Sequence, residues 1–223
     1  MKVSERIVNS IFRALFRLFF RLNLDALKQV PASGPYIIIL NHPSIYEGPM
    51  IYVFLRPRRL IALAKKQLWE RKFTSRLMKL WEAIPIDHLS IDRSSMQRCF
   101  EVLDSGNFLC LAPEGTRTND PNLQKGKPGV AYIAFKKQVP IVPVVTIGFD
   151  RFSYYIKRLR KTPVEIIVGK PFEITLKEGR LSPKLRQELA DEMMMRLAEL
   201  MPKSYWGYYK DRPISFTYTR QIS

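Results

Sequence analysis

Arginine interrupts the first apolar stretch of the chain at a helical interval. In residues 4–22, "SERIVNSIFRALFRLFFRL", Arg13, Arg17 and Arg21 stand four positions apart. At about 100° per residue, Arg6, Arg13, Arg17 and Arg21 fall in one stripe roughly 80° wide. Ile7, Val8, Ile11, Phe12, Leu15, Phe16, Leu18, Phe19 and Leu22 take the opposite side. The pattern predicts a basic amphipathic helix. Its charges exclude a membrane span, which needs roughly 20 consecutive apolar residues. They also exclude a signal peptide, whose charges precede an unbroken apolar segment ending in small residues. Such a helix either lies in a membrane interface with its arginines at lipid phosphates or packs its apolar face on the domain core. Four arginines beside large aromatics favour the interface. Residues 1–30 are therefore expected to form an amphipathic membrane-interface segment, and 31–223 the domain itself.

Beyond the Pro-Ala-Ser-Gly-Pro break at 31–35, short β-rich runs alternate with helical stretches. The runs "YIIIL" (36–40), "RLIALA" (59–64), "AIPI" (83–86), "FLCLA" (108–112), "VPIVPVVTIG" (139–148) and "VEIIVG" (164–169) read as strands. Helices are predicted from Ser44 to about Phe54, over 67–81, over 94–105 ending at Gly106, over 129–137 and over 182–201. The last of these has Ser182 as cap and Pro183 in its first turn. Strand–helix alternation predicts an α/β fold, with helices flanking a mostly parallel twisted sheet. In such folds reactive groups collect at the carboxyl ends of the strands. "NHPSIYE" (41–47) and "PEGTR" (113–117) each follow a strand directly, which places both in one crevice.

Composition narrows the function. The 223 residues fit one domain with a substantial core. Lysine and arginine total 37 against 20 acidic residues, a net charge of +17, so an anionic partner is expected. Nucleic acid is the weakest candidate, because no zinc, helix-turn-helix or aromatic RNA-binding signature is present and the apolar face of the first helix would be unexplained. The basic runs "RPRR" (56–59), "KKQLWERK" (65–72) and "IKRLRK" (156–161) would instead draw the protein to anionic lipid, or form solvated faces. The two scattered cysteines, Cys99 and Cys110, make neither a disulfide framework nor a metal site. They are expected to be buried and inert. The aromatic run "SYWGYYK" (204–210) fits an interfacial anchor or a packed tail.

The candidate chemistry begins at His42. Ser44-Ile45-Tyr46-Glu47 has the S-x-x-E form of a capping box, which would make Glu47 a helix-start residue. The same turn could bring the Glu47 carboxylate back to the imidazole. A carboxylate on one ring nitrogen fixes the tautomer and leaves the other free as a general base. The residues alone support both readings. In "PEGTR", glycine permits close backbone approach and Arg117 offers a planar fork suited to phosphate.

Together, "NHPSIYE", "AKKQLW" (64–69), "IPIDHLSIDR" (84–93), "LAPEGTR" (111–117) and "VPIVPV" (139–144) resemble, in order and spacing, the glycerolipid acyltransferases typified by 1-acylglycerol-3-phosphate acyltransferase. The resemblance implies transfer of a fatty acyl group from acyl-CoA or acyl-carrier protein to a lysophospholipid hydroxyl. Those donors would be co-substrates, with no further cofactor and no metal. It implies His42 as the general base, with Glu47 orienting it and stabilising the imidazolium. Lys65, Arg93 and Arg117 would bind the acceptor phosphate, in a pocket shaped by Glu114, Gly115 and Thr116. The protein would sit on an anionic membrane surface, on the cytoplasmic face. Two positions depart from the family pattern. Glu47 stands where the pattern H-x-x-x-x-D has aspartate, and His88 stands where arginine is usual, with Arg93 five residues later. His88 is left out of the dyad. The departures leave two alternatives open, an acceptor with a different head group or a non-catalytic lipid-binding relative of the same fold.

Overall fold

A computed structural model describes residues 3–87, 92–115, 120–177 and 179–222. In chain order the elements are α1 (Val3–Phe19), β1 (Phe20–Leu22), β2 (Tyr36–Leu40), α2 (Glu47–Leu55), β3 (Leu60–Lys65), α3 (Lys72–Leu80) and β4 (Ile84–Ile86). There follow α4 (Arg93–Asp104), β5 (Phe108–Leu111), α5 (Pro128–Lys137), β6 (Ile141–Ile147), α6 (Phe152–Ile156), β7 (Thr162–Val168), β8 (Phe172–Ile174), α7 (Pro183–Ala198) and β9 (Thr219–Gln221).

The strands form one sheet in the order β1-β7-β6-β2-β5-β3-β4, with β8 paired to β6 and β9 to β8. Strands β2 to β6 run parallel to one another. β7 turns back antiparallel to β6 and carries β1 parallel to itself. The expected mostly parallel α/β sheet is the fold observed. The runs read as strands are β-branched and apolar on both faces because helices cover both. Along β2, Ile37 and Ile39 face a layer built from α4, α5 and α7. Ile38 and Leu40 face the opposite layer, built from α1, α2 and α3.

The first helix forms, but its apolar circumference divides. Phe16 and Phe20 are buried in the layer with α2, with Phe12 and Phe19 packed beside them. Val3, Ile7, Ile11, Leu15 and Leu18 remain exposed on the outer side. The inner seam also buries Glu5 and Asn9. Glu5 pairs with Arg56 at 2.5 Å and accepts from the Tyr52 hydroxyl at 3.1 Å. Asn9 accepts from the Trp81 indole at 3.0 Å. Arg13 leaves the outer arginine stripe, donating to the Val53 carbonyl at 2.7 Å. Two of the basic residues expected to meet lipid are likewise held internally. Arg56 is in the Glu5 pair, and Arg58 donates to the carbonyls of Val30 and Pro31.

One predicted helix divides, three short strands go unread in sequence, and one open alternative is decided. The predicted helix over 67–81 is a 3-10 turn (Lys66–Trp69) followed by α3. The short strands β1, β8 and β9 lack a period long enough to read in sequence, and form because neighbours supply their hydrogen bonds. The aromatic run at 204–210 is a packed segment, with Trp206 and Tyr209 buried. Cys99 and Cys110 are free and buried, and burial pushes both thiols up to about 12, which makes them poor nucleophiles.

Candidate active site

The site lies at the carboxyl end of the parallel strands. β2 ends at Leu40, and Asn41 extends it with a side chain. Asn41 Nδ2 donates to the Thr146 carbonyl and Oδ1 accepts from the Thr146 amide, each at 2.9 Å. This pair does the work of a backbone rung between β2 and β6 and fixes the chain just before His42.

Pro43 and a tight turn then bring Glu47 under the imidazole. The predicted helix start at Ser44 moves to Glu47, with Tyr46 at the N-cap position and no side-chain cap. Half of the capping box is present, since Ser44 N donates to Glu47 Oε2 at 3.2 Å. The other half is replaced. Ser44 Oγ accepts from Tyr46 N at 3.1 Å and donates to Glu47 Oε1 at 2.6 Å. The serine is thus drawn to the carboxylate, and the helix begins later. Glu47 Oε2 also lies 3.2 Å from His42 Nδ1. Glu47 is wholly buried, whereas the His42 side chain is 29% exposed. A buried carboxylate needs such donors, and its place in the first turn of α2 adds the favourable end of the helix dipole. With Nδ1–H donating to Glu47, Nε2 is the nitrogen left to accept a proton.

Glu114 bridges two loops of the site. It is 3% exposed, and its Oε1 accepts from the His42 backbone N–H at 2.9 Å. Its Oε2 accepts from Gln124 N–H at 3.2 Å. The carboxylate therefore ties the β2–α2 loop to the β5–α5 loop. Burial pushes its pKa up to about 7, against the opposing pull of the two backbone donors. Gly115 has a φ of +67°, and a Cβ there would lie 2.6 Å from the Lys127 Cδ. The glycine is needed both for the backbone turn and for the lysine stem crossing it.

Of the residues singled out in the sequence, the structure brings His42, Glu47, Glu114 and Gly115 together. Lys65 ends β3 on the same edge of the sheet, half-buried. With strands ~4.8 Å apart it stands about 10 Å from β2. Arg93 is exposed at the start of α4, beside edge strand β4. Among the described residues no hydrogen bond or ion pair joins it to the His42 cluster. Thr116, Arg117 and His88 lie outside the described residues. Asn41, Gln124 and Lys127 are not singled out by the sequence, and Ser44 is read there only as a helix start. Asn41 and Ser44 flank the histidine and were visible as polar residues at a strand end, but their partners are distant or local contacts that only folding defines.

The model of the family described as Acyltransferase matches residues 21–147, more than half of the chain, and spans both loops of the site. The chain belongs to the acyltransferase family. Among acyltransferases similar to it, the chloroplastic 1-acyl-sn-glycerol-3-phosphate acyltransferase of Arabidopsis thaliana is 26% identical over 182 residues, covering 78% of this chain and 50% of that protein. The 1-acyl-sn-glycerol-3-phosphate acyltransferase of Bacillus subtilis is 26% identical over 145 residues, 65% of this chain and 70% of that one. The human beta form is 30% identical over 142 residues, 61% of this chain and 51% of that protein. The chain thus spans about half the length of the plant and human relatives. In fold it resembles the crystal structure of the 1-acyl-sn-glycerophosphate acyltransferase PlsC of Thermotoga maritima, with a TM-score of 0.63 at 22% identity, covering 88% of this chain and 79% of that one.

Proposed function

We propose that this acyltransferase moves a fatty acyl group from acyl-CoA or acyl-carrier protein to the free hydroxyl of a lysophospholipid. The acceptor favoured by the named relatives is 1-acylglycerol-3-phosphate, giving phosphatidic acid. The observation that carries the reading is the His42–Glu47 pair at 3.2 Å, with the carboxylate buried and the imidazole open at the carboxyl edge of the sheet.

In the proposed reaction His42 Nε2 takes the proton of the acceptor hydroxyl as its oxygen attacks the thioester carbonyl. The tetrahedral intermediate expels the thiolate as the C–S bond breaks, and the imidazolium returns the proton to sulfur. Glu47 holds the ring and offsets its transient charge. No covalent enzyme intermediate and no cofactor is required. Lys65, Arg93 and Arg117 are the cations proposed to hold the acceptor phosphate. Fixing that end would place the hydroxyl beside His42, a positioning effect that lowers the entropic cost of the reaction.

The same reading puts the protein on a membrane, with its active site toward an anionic leaflet, proposed to be the cytoplasmic one. The support is the exposed aliphatic stripe of α1, with exposed Phe73 on α3. Among the described residues no helix is long and apolar enough to cross a membrane, so the attachment would be interfacial.

The test uses the detergent-solubilised protein, labelled acyl-CoA and acyl-carrier protein, and a panel of lysophospholipids. Transfer to at least one acceptor is expected, with His42→Ala slower by about 10²–10⁴-fold. Lipid binding without transfer, or equal transfer by the variant, overturns the proposal.

A further inference from the structure

The C-terminal aromatic segment lies outside the family match, yet it grips the loop that supports the site. Leu123 N donates to the Tyr205 carbonyl at 2.9 Å, and Tyr208 N donates to the Leu123 carbonyl at 3.0 Å. At the turn between them Gly207 has a φ of +48°, and a Cβ there would lie 2.3 Å from the Leu123 oxygen. Two residues beyond Gly207, the buried Tyr209 hydroxyl accepts from Gly126 N at 2.9 Å and donates to Asp191 Oδ1 at 2.8 Å. Gln187 of α7 completes the hold, donating from Nε2 to the Gly126 carbonyl at 2.9 Å and to Asp191 Oδ1 at 3.0 Å.

Leu123 and Gly126 flank Gln124, whose amide reaches Glu114. Glu114 in turn holds the His42 backbone. From these contacts we infer that Tyr209, with the turn at Gly207, is a positioning element for the reaction. It holds the Gln124 amide in place, and through Glu114 it sets His42. A phenylalanine would fill the same buried space, so the contribution lies in the hydroxyl and its two hydrogen bonds.

The inference rests on the proposed acyl transfer at His42, and the experiment separates the two. Tyr209→Phe, Gln187→Ala, His42→Ala and, as a control, Arg220→Ala are assayed for acyl transfer across pH, alongside thermal unfolding. Arg220 lies in the same C-terminal tail but pairs with Glu173, away from the loop. Loss of the Gln124 N–H bond removes an influence that lowers the Glu114 pKa, so the acid limb of the profile should move upward. Expected for Tyr209→Phe is kcat lower by about tenfold, with that upward shift. Gln187→Ala should act in the same direction, and carries the test if Tyr209→Phe does not fold. Arg220→Ala should match the parent. An unchanged kcat, or a lower plateau with the limb in place, gives the segment a structural role only and overturns the inference. Full activity in His42→Ala overturns the reading of the site itself, and the inference with it.

Discussion

Two buried carboxylates, Glu47 and Glu114, hold His42 from different sides, one at its ring and one at its backbone. Their roles separate experimentally. Glu47→Gln keeps the shape but presents an amide to Nδ1, removing the charge proposed to offset the imidazolium. A fall in acyl transfer of about 10²–10⁴-fold is expected. Glu47→Asp keeps the charge and should retain more activity than Gln, and equal rates for Gln and the parent would reduce Glu47 to a helix-start residue. For Glu114 the prediction concerns pH. Burial lifts its carboxyl from the ordinary 4.5 to about 7 in the folded protein. Between those values the folded protein binds more protons than the unfolded chain. Its contribution therefore makes stability fall as pH rises through that window. Urea unfolding at several pH values should show that slope in the parent and its flattening in Glu114→Gln.

At the scale of elements, α1 faces two ways. Its inner seam is pinned to α2 by the Glu5–Arg56 pair and the Tyr52 hydroxyl, with the Arg56 guanidinium 4.4 Å from the Tyr52 ring centroid. Removing one partner of a buried pair strands the other. Glu5→Ala should lower unfolding stability by ~3–5 kcal/mol in chemical denaturation. The outer stripe makes no such bonds. A double variant Ile7→Glu, Ile11→Glu should leave stability within about 0.5 kcal/mol and weaken binding to anionic vesicles in flotation assays. Unchanged flotation would assign the membrane contact elsewhere. The helical period of α1 was legible in sequence. The division of its apolar side was not, because Phe16 and Phe20 find aromatic partners in Phe54, Tyr46, Phe149 and Phe152 that lie far along the chain.

For the whole molecule, a charge of +17 should make vesicle association salt-dependent. Raising ionic strength from 0.1 to 1 M shortens the screening length from about 10 Å to about 3 Å, so sedimentation with anionic vesicles should drop sharply. Binding that persists would assign the attachment to the apolar stripe alone. The alternation of β-rich runs with helical stretches was sufficient to foresee a mostly parallel sheet, because strands buried on both faces leave an unmistakable apolar signature. The order of His42 and Glu114 directly after strands placed them at one end of it. Those features are local in the chain, and local patterns can be read. What needed the tertiary structure was every role set by a partner distant in sequence. Glu114 is a tie to the His42 backbone. Arg56 is an internal cation. The C-terminal aromatics brace a loop some 80 residues earlier, as the separation of 83 between Gly126 and Tyr209 records. Periodicity tells which side of an element is apolar. Only packing decides which buried polar group meets which, because each such bond must offset the cost of leaving water.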